Sequence, residues 1–523
     1  MELKPVRKDS MKRALVFEKG SVCGVVAGRT ARDALRQIRS ALRYTKTLEL
    51  RLDWLADERE AARLLEQLKK EEIPRRTTLI ATCRHRKAGG KFSGTVVEQL
   101  SLLRVAINAG CQWVDLEVET AAELPSFTLG LYTAHAKRIL SYHDFRGTPD
   151  PPRLARLVRE LYQMCDDLGF DAVKIATKCD SLADSLRVLS LVRPSQDQNV
   201  IAVPMGEAAT PARVLAARFG SALSYAPVAE ATAPGQIPLA ELHGLYRASG
   251  VSARTRVYGV IGNPIAHSLS PVLHNTAFHA RKLDAIYLPF RVADLNDFLR
   301  AIQPLSIAGF SITLPHKEKI LRHLDDCDPL AAAIGAVNTV VVRGGKKLFG
   351  YNTDYVGVLR SIKRRMPIAG SRVLILGAGG AARAVAFALA KGGASVSICA
   401  RRAERAREVG GDVMPRTALK REFFDAIVNT TPVGMHPDTR QSPLNARELN
   451  CRIVFDTIYR PRRTKLLQLA AAKGIETISG VEMFLAQGIA QWEIWTGTRA
   501  PEALMRRAVL RKLEEEERKH KES

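Results

Sequence analysis

No apolar run in this chain approaches the ~18–20 residues that a membrane-spanning helix needs. The first twenty residues, MELKPVRKDSMKRALVFEKG, are basic but lack the apolar core of a signal peptide, and Glu2, Asp9 and Glu18 argue against an organellar transit peptide. The eight cysteines (Cys23, Cys83, Cys111, Cys165, Cys179, Cys327, Cys399 and Cys451) include no CxxC pair. That removes the usual spacing for a zinc site or a disulfide framework, so no metal is expected and a reducing cytoplasm is the simplest location. Aromatics make up 6% of the chain, and no basic tract is interleaved with them. The net charge of +25 is spread along the whole length, which fits anionic small substrates and an arginine-rich surface better than a nucleic-acid interface. The expected partners are therefore small molecules, not nucleic acid or membrane, and the oligomeric state is left open. There is no long repeat and no low-complexity tract.

What is present is enough apolar sequence for several cores. The chain has 523 residues, 46% of them hydrophobic and 25% charged, which suggests about three domains. Residues 1–20 read as an extension. From Val22 to about Leu245, short apolar runs alternate with helical stretches: VCGVVAG, TLELRLDWL, TTLIATCR, CQWVDLEVE, KRILSYHDF, DAVKIATK, NVIAVPMG and SALSYAPVAE. Eight βα units over residues 21–245 match a (β/α)8 TIM barrel, in which catalytic side chains sit at the C-terminal ends of the strands. Glu49, Arg51, Arg84 and His143 lie late in their runs. Lys174 lies inside the sixth, where a lysine is out of place unless it is paired or working. A lysine in an apolar pocket loses its proton readily and can attack a ketone to form a Schiff base. His143, in SYHDF, is the best candidate base.

These segments resemble type I 3-dehydroquinate dehydratase through LELRLDW, TCR, SYHDF, VKIATK, PMGEAATPAR and ATAPGQI. The resemblance implies that Lys174 forms the Schiff base and His143 acts as general base, then acid. It also implies that Glu49, Arg51, Arg84, Arg213, Thr232 and Gln236 hold the substrate's carboxylate and hydroxyls. Two positions depart from the family pattern. Ala88 stands in KAGGKF where a glutamate usually precedes the Gly-Gly pair, and Glu117 in VDLEVE is the candidate to replace that carboxylate. Thr232 stands where serine is usual.

A polar seam, residues 246–255, leads to a different pattern. Residues 256–357 carry NPIAHSLSP, GFSITLPHKE, IGAVNT and GYNTDYVG. Here Ser268 and Ser270 are spaced to point the same way, Lys317 follows a strand and opens a helix, and Asn338, Asn352 and Asp354 lie in short loops. Residues 358–480 contain LILGAGGAAR, a strand followed by glycines and a helix. That turn brings backbone N–H groups to a pyrophosphate, as in a Rossmann domain. The next strand ends in Arg401 and Arg402, not in the acid of an NAD enzyme, which favours NADP. The last ~40 residues, 481–523, read as helices completing the 256–357 domain, with LRKLEEEERKHKES as a solvated, fraying end.

In order, SLSP, TLPHK, AVNT, NTD, GAGGAAR, NTTPVGM, DTIYRP and EMFLAQG resemble shikimate dehydrogenase. The resemblance implies a catalytic pair in Lys317 and Asp354. It implies substrate contacts from Ser268, Ser270, Thr313, Asn338, Asn352, Tyr459 and Gln487, and cofactor contacts from Gly377, Ala378, Gly379, Gly380, Ala381, Arg401, Arg402, Thr430 and Gly480. Ser311 departs from the asparagine common in bacterial members, and Ala400 and Arg402 depart from the usual Asn-Arg-Thr. The whole then reads as a fused shikimate-pathway enzyme: a lyase that dehydrates 3-dehydroquinate, followed by an NADP-dependent oxidoreductase that makes shikimate. Two other readings remain open, a non-catalytic regulator derived from such enzymes and an aldolase-type barrel fused to a quinate dehydrogenase.

Overall fold

The computed structural model describes residues 17, 20–71, 73–74, 76–123, 136–192, 199–229, 235–266 and 268–522. Nearly all of the 1–20 extension, and Thr232, lie outside them. The chain divides into two compact units, Met1–Thr255 with Asn296–Pro304, and Arg256–Leu295 with Leu305–Ser523.

In the first unit all eight apolar runs form parallel strands: β1 (Ser21–Val26), β2 (Thr47–Arg51), β3 (Thr78–Thr82), β4 (Trp113–Glu117), β5 (Lys137–Asp144), β6 (Ala172–Lys178), β7 (Asn199–Met205) and β8 (Leu223–Pro227). Their order is β7-β6-β5-β4-β3-β2-β1-β8. The seam between β7 and β8 is bridged by Ala222 N–H donating to Val200 O at 3.0 Å and Ala202 N–H donating to Ser221 Oγ at 3.1 Å. The barrel interior is closed low down by Cys23, Ile80, Ile139, Ala172, Ile201 and Leu223, with Phe17 stacked on Trp113. Several strands are shorter than the runs quoted from the sequence, β2, β3, β4 and β8 most clearly. β2 ends at Arg51 and turns at Leu52–Trp54, and β4 ends at Glu117, where a helix begins at Val118.

The second unit has two sheets. One, in the order β10-β9-β11-β13-β14-β12, is mixed. It comprises β9 (Arg256–Gly262), β10 (Ala285–Arg291), β11 (Ile307–Ile312), β12 (Asp326–Cys327), β13 (Thr339–Arg343) and β14 (Lys347–Tyr351). The other is all parallel, β17-β16-β15-β18-β19-β20, from β15 (Arg372–Leu376), β16 (Ser395–Cys399), β17 (Asp412–Val413), β18 (Phe424–Asn429), β19 (Cys451–Asp456) and β20 (Glu476–Ile478). Its order reverses between β15 and β18, the switch point at which ligands bind in doubly wound folds.

Five helices of this unit matter for its cleft: α1 (Ser270–Ala280), α2 (Asp354–Ile362), α3 (Gly380–Lys391), α4 (Gly480–Thr496) and α5 (Glu502–Glu522). Trp492, Trp495, Met505, Val509 and Leu513 of α4 and α5 share one core with Leu273 and Phe278 of α1. The C-terminal end is thus less solvated than its charge suggests. Leu513 is buried, and Arg460 reaches Glu516 at 3.1 Å. Lys317 does not open a helix; it lies in a turn before the short 3-10 segment Lys319–His323. Asp354, expected in a loop, is the first residue of α2.

Candidate active sites

In a strand alternate side chains share a face, so β2, β4, β5 and β6 each send a polar group to the barrel mouth. Lys174 is 5% exposed, and it is paired: its Nζ lies 2.9 Å from Asp115 Oδ2 and 3.5 Å from Glu49 Oε1, over the ring of Tyr225 at 4.1 Å. The apolar pocket expected from the run around it is therefore an ionic one, because the apolar neighbours Val173 and Ile175 point outward and the lysine points in. Arg84 joins the cluster, donating through Nη2 to Asp115 Oδ1 at 2.7 Å and through Nη1 to Ser141 Oγ at 3.1 Å. Ser141 Oγ in turn donates to Asp115 Oδ1 at 2.7 Å. Burial alone would raise the Asp115 carboxyl, but Arg84 and Lys174 overcome this and hold it below the usual carboxylate range.

Arg84 Nη1 also lies 3.2 Å from His143 Nδ1. A guanidinium only donates, so Nδ1 accepts and the neutral ring carries its hydrogen on Nε2. Burial, then Arg84 and Lys174, push the His143 pKa well below its ordinary value, against Asp115. Glu117 does not take the place of a carboxylate beside His143. Its oxygens accept from His85 N–H at 2.6 Å and Gln99 Nε2 at 2.9 Å. One cavity brings together Glu49, Arg51, Arg84, His143, Lys174, Arg213 and Gln236, with Phe145, Met205 and Tyr225 as apolar walls. Arg51 is braced by Asp53 at 2.9 and 2.8 Å, and burial pushes Arg213 down to about 10. Asp115 and Tyr225 were missed in the sequence; the signal for Asp115 was its place two residues before Glu117, on the same face of β4.

The second unit's cleft lies between its two sheets. Ser268, Ser270, Thr313, Lys317, Asn338, Asp354, Tyr459 and Gln487 line it, as do Gly379, Gly380, Ala381 and Thr430. Lys317 Nζ donates to Asp354 Oδ2 at 2.5 Å, and Asn338 Nδ2 donates to Asp354 Oδ1 at 2.8 Å. Ser270 N–H donates to Ser268 Oγ at 3.3 Å, while Ser311 pairs with the buried Tyr287 hydroxyl. Asn352 is absent from the lining. Its Nδ2 donates to Ala336 O at 2.8 Å and its Oδ1 accepts from Tyr355 N–H at 3.3 Å, which holds the start of α2.

The glycine loop fits a dinucleotide phosphate. Gly377 has φ +107°, and a Cβ there would meet Thr430 Oγ1 at 2.8 Å. Gly379 is the N-cap of α3, and a Cβ on it would stand in open space, leaving the helix N-terminus free to approach an anion. Ala378 lies between them in the same turn. Arg401 and Arg402 are both exposed just beyond β16. Gly480, by contrast, is buried at the start of α4, where a Cβ would strike Thr457 O at 2.4 Å; it does not line the cleft.

Residues 22–253 match the family model for type I 3-dehydroquinase, residues 260–340 that for the shikimate dehydrogenase substrate binding domain, and residues 480–510 that for the shikimate 5′-dehydrogenase C-terminal domain. The bifunctional 3-dehydroquinate dehydratase/shikimate dehydrogenase of Arabidopsis thaliana, named chloroplastic, is 36% identical over 482 residues, spanning 87% of this chain and 78% of that protein. The chain belongs to the bifunctional 3-dehydroquinate dehydratase/shikimate dehydrogenase family. About half of this family member also resembles shorter proteins. The shikimate dehydrogenase (NADP(+)) of Symbiobacterium thermophilum is 41% identical over 50% of this chain and 95% of its own length. The crystal structure of shikimate 5-dehydrogenase from Thermus thermophilus with NADP(H) and shikimate is 37% identical over 49% of this chain and 99% of its own, with a TM-score of 0.45.

Proposed function

We propose that the chain performs two consecutive steps, dehydration of 3-dehydroquinate to 3-dehydroshikimate in the barrel and its NADPH-dependent reduction to shikimate in the cleft. The observation that carries this is the coexistence of a buried lysine at a barrel mouth and a lysine–aspartate pair facing a glycine loop.

In the barrel, the Lys174 side chain first gives its ammonium proton to solvent, the free amine attacks the ketone carbon, and water leaves as the iminium forms. The iminium makes the neighbouring C–H acidic. Loss of that proton and of the β-hydroxyl, followed by hydrolysis of the imine, releases one water overall. His143 handles the proton, and its one free lone pair is the one Arg84 covers. Arg84 must therefore turn to the substrate before His143 can accept. Arg213 suits the carboxylate because its planar fork bonds both oxygens. Glu49, Arg51, Gln236 and Thr232 are assigned to the hydroxyls.

In the cleft, NADPH supplies a hydride when bound. Lys317 delivers the proton to the carbonyl oxygen, oriented by Asp354. Ser268, Ser270 and Tyr459 are assigned to the carboxylate, and Thr313, Asn338 and Gln487 to the ring hydroxyls. Gly377 to Ala381 and Thr430 cradle the dinucleotide, with Arg401 and Arg402 on the 2′-phosphate. Asn352 and Gly480 support this site from behind it.

The cytoplasm is the proposed location, on the cysteine spacing of the sequence, although the Arabidopsis relative is named chloroplastic. No helix among the described residues is long and apolar enough to cross a membrane. Small molecules are the proposed partners, with neither nucleic acid nor membrane. Feeding 3-dehydroquinate and NADPH to the purified chain should yield shikimate. Borohydride added with substrate should trap one ligand on the peptide holding Lys174. Absence of both products would overturn the reading.

A further inference from the structure

Behind the cleft, a line of buried polar side chains runs from α1 to the Lys317–Asp354 pair. One unambiguous donor sets its direction. Thr353 N–H donates to Asn338 Oδ1 at 2.7 Å, so the Asn338 amide is oriented with Nδ2 toward Asp354 Oδ1, at 2.8 Å. Asn338 Oδ1 can only accept. The Thr339 hydroxyl, 2.8 Å away, must therefore donate to it. With its hydrogen committed, Thr339 Oγ1 accepts from Gln491 Nε2 at 3.2 Å. That places Gln491 Oε1 toward His274 Nε2, at 3.3 Å, and an amide oxygen can only accept. His274 is therefore in the Nε2–H tautomer, and every hydrogen bond from it onward points the same way, ending on Asp354.

The surroundings of His274 agree. The ring is fully buried, stacked on Tyr287 at a centroid distance of 4.4 Å and beside Trp495 at 5.2 Å. Burial pushes its pKa down to about 3, so it is neutral at working pH. Its Nδ1 has no hydrogen-bond partner, which suits an unprotonated nitrogen among aromatic rings. Hydrogen bonds in a common direction polarise one another, and the effect is larger in a dry interior.

We propose that His274, Gln491 and Thr339 are positioning residues of the reductase, a one-way hydrogen-bond relay that reinforces the Asn338 amide, which Thr353 turns toward Asp354, and thereby helps to hold the carboxylate that orients Lys317. Three of its members come from helices or strands far apart in sequence. His274 and Gln491 are 217 residues apart, and Gln491 and Thr339 are 152 apart. The relay therefore also joins helix α4 to the start of β13. The inference rests on the proposed role of the Lys317–Asp354 pair.

The test uses the full chain, whose dehydratase serves as an internal check on folding. Thr339→Val keeps the shape and removes the hydroxyl. It should lower reductase kcat about tenfold and leave the KM for NADPH unchanged. Thr339→Ser, which restores the hydroxyl, should recover kcat. An unchanged kcat in Thr339→Val, or a loss carried by KM instead, would overturn the relay. Nitrogen-15 NMR of the unaltered protein gives a second check that needs no variant to fold. The His274 signals should show hydrogen on Nε2 and none on Nδ1, and the opposite tautomer overturns the relay. If the unaltered chain reduces no ketone, the proposed function fails instead, and the tautomer measurement still decides the relay's direction.

Discussion

The two sites solve opposite problems with different materials. At the barrel mouth, five charged groups (Glu49, Arg84, Asp115, Lys174 and, at the rim, Arg51) are packed into a few ångströms on adjacent strands. A covalent site needs its nucleophile in one fixed place, and strand ends supply that rigidity. In the cleft the lining carries the pair Lys317–Asp354 and Arg460, and most of its other polar groups are hydroxyls and amides. A hydride site must admit a dinucleotide as well as a ketone, so its walls come from two sheets and its polar groups from turns and helices. The contrast teaches that buried charge belongs where the bond is made to the protein, and neutral hydrogen bonding where protein merely aligns two ligands.

That contrast can be broken, starting with the largest effect. Lys174→Ala should lower dehydratase turnover by roughly a thousandfold or more and leave reduction of 3-dehydroshikimate intact, measured on the same preparation; residual full dehydratase activity would remove the covalent half of the comparison. Lys317→Ala should do the reverse, reducing ketone turnover by ~10²–10⁴-fold as expected for loss of a proton donor, with dehydration unaffected. Arg401→Ala should raise the KM for NADPH while leaving that for NADH nearly unchanged. One well-placed arginine on the 2′-phosphate gives ~10–100-fold preference, and equal weakening of both cofactors would show that neither exposed arginine reads that phosphate.

Two smaller effects depend on pH. Because burial and Arg84 hold His143 well below its ordinary pKa, it stays neutral on the acid side. The acidic limb of dehydratase kcat/KM should therefore lie below ~6.5, the free imidazole value, and a limb above that value would contradict the ionic barrel mouth. In the other unit, Asp456 is buried beneath the Asn429–Thr431 loop. It accepts from Asn429 Nδ2 at 3.0 Å and from Thr464 Oγ1 at 2.6 Å, and burial raises it to about 6. A raised carboxyl favours the folded state when protonated. Its contribution is fully present below the ordinary carboxyl pKa and is lost as pH rises through about 6. Asp456→Asn should flatten the dependence of Tm on pH between ~4 and ~6 by a few degrees, measured by calorimetry.

Much of this was legible in the chain. Eight apolar runs separated by helical stretches specify a parallel barrel because each strand must be covered by the helix that follows it. Lys174 announced itself as a lysine inside an apolar run, and the glycines after LIL could serve few purposes but a tight turn into a helix. That the second sheet of the other unit is parallel follows from the same βα alternation. Local pattern suffices here because these features depend on neighbours within about thirty residues.

Other features were decided only by the tertiary structure. Asp115 reads as one more acid in VDLEVE until β4, β3 and β6 set it between Arg84 and Lys174. Lys174 itself was expected in apolar surroundings, since sequence shows the residues beside it in the strand and not those across the barrel. Tyr225 is an ordinary strand tyrosine until its ring meets that lysine. The orientation of Asn338, Gln491 and His274 cannot be read from any window of sequence. The hydrogen-bond direction of each depends on partners as far as 217 residues away, and a side-chain amide or imidazole has no preferred direction until its neighbours impose one. Sequence determined by itself which chemistries the chain carries, because each needs particular residue types at the ends of particular elements. The fold decided which charges neutralise one another and which way the protons point, because those depend on distances across the core.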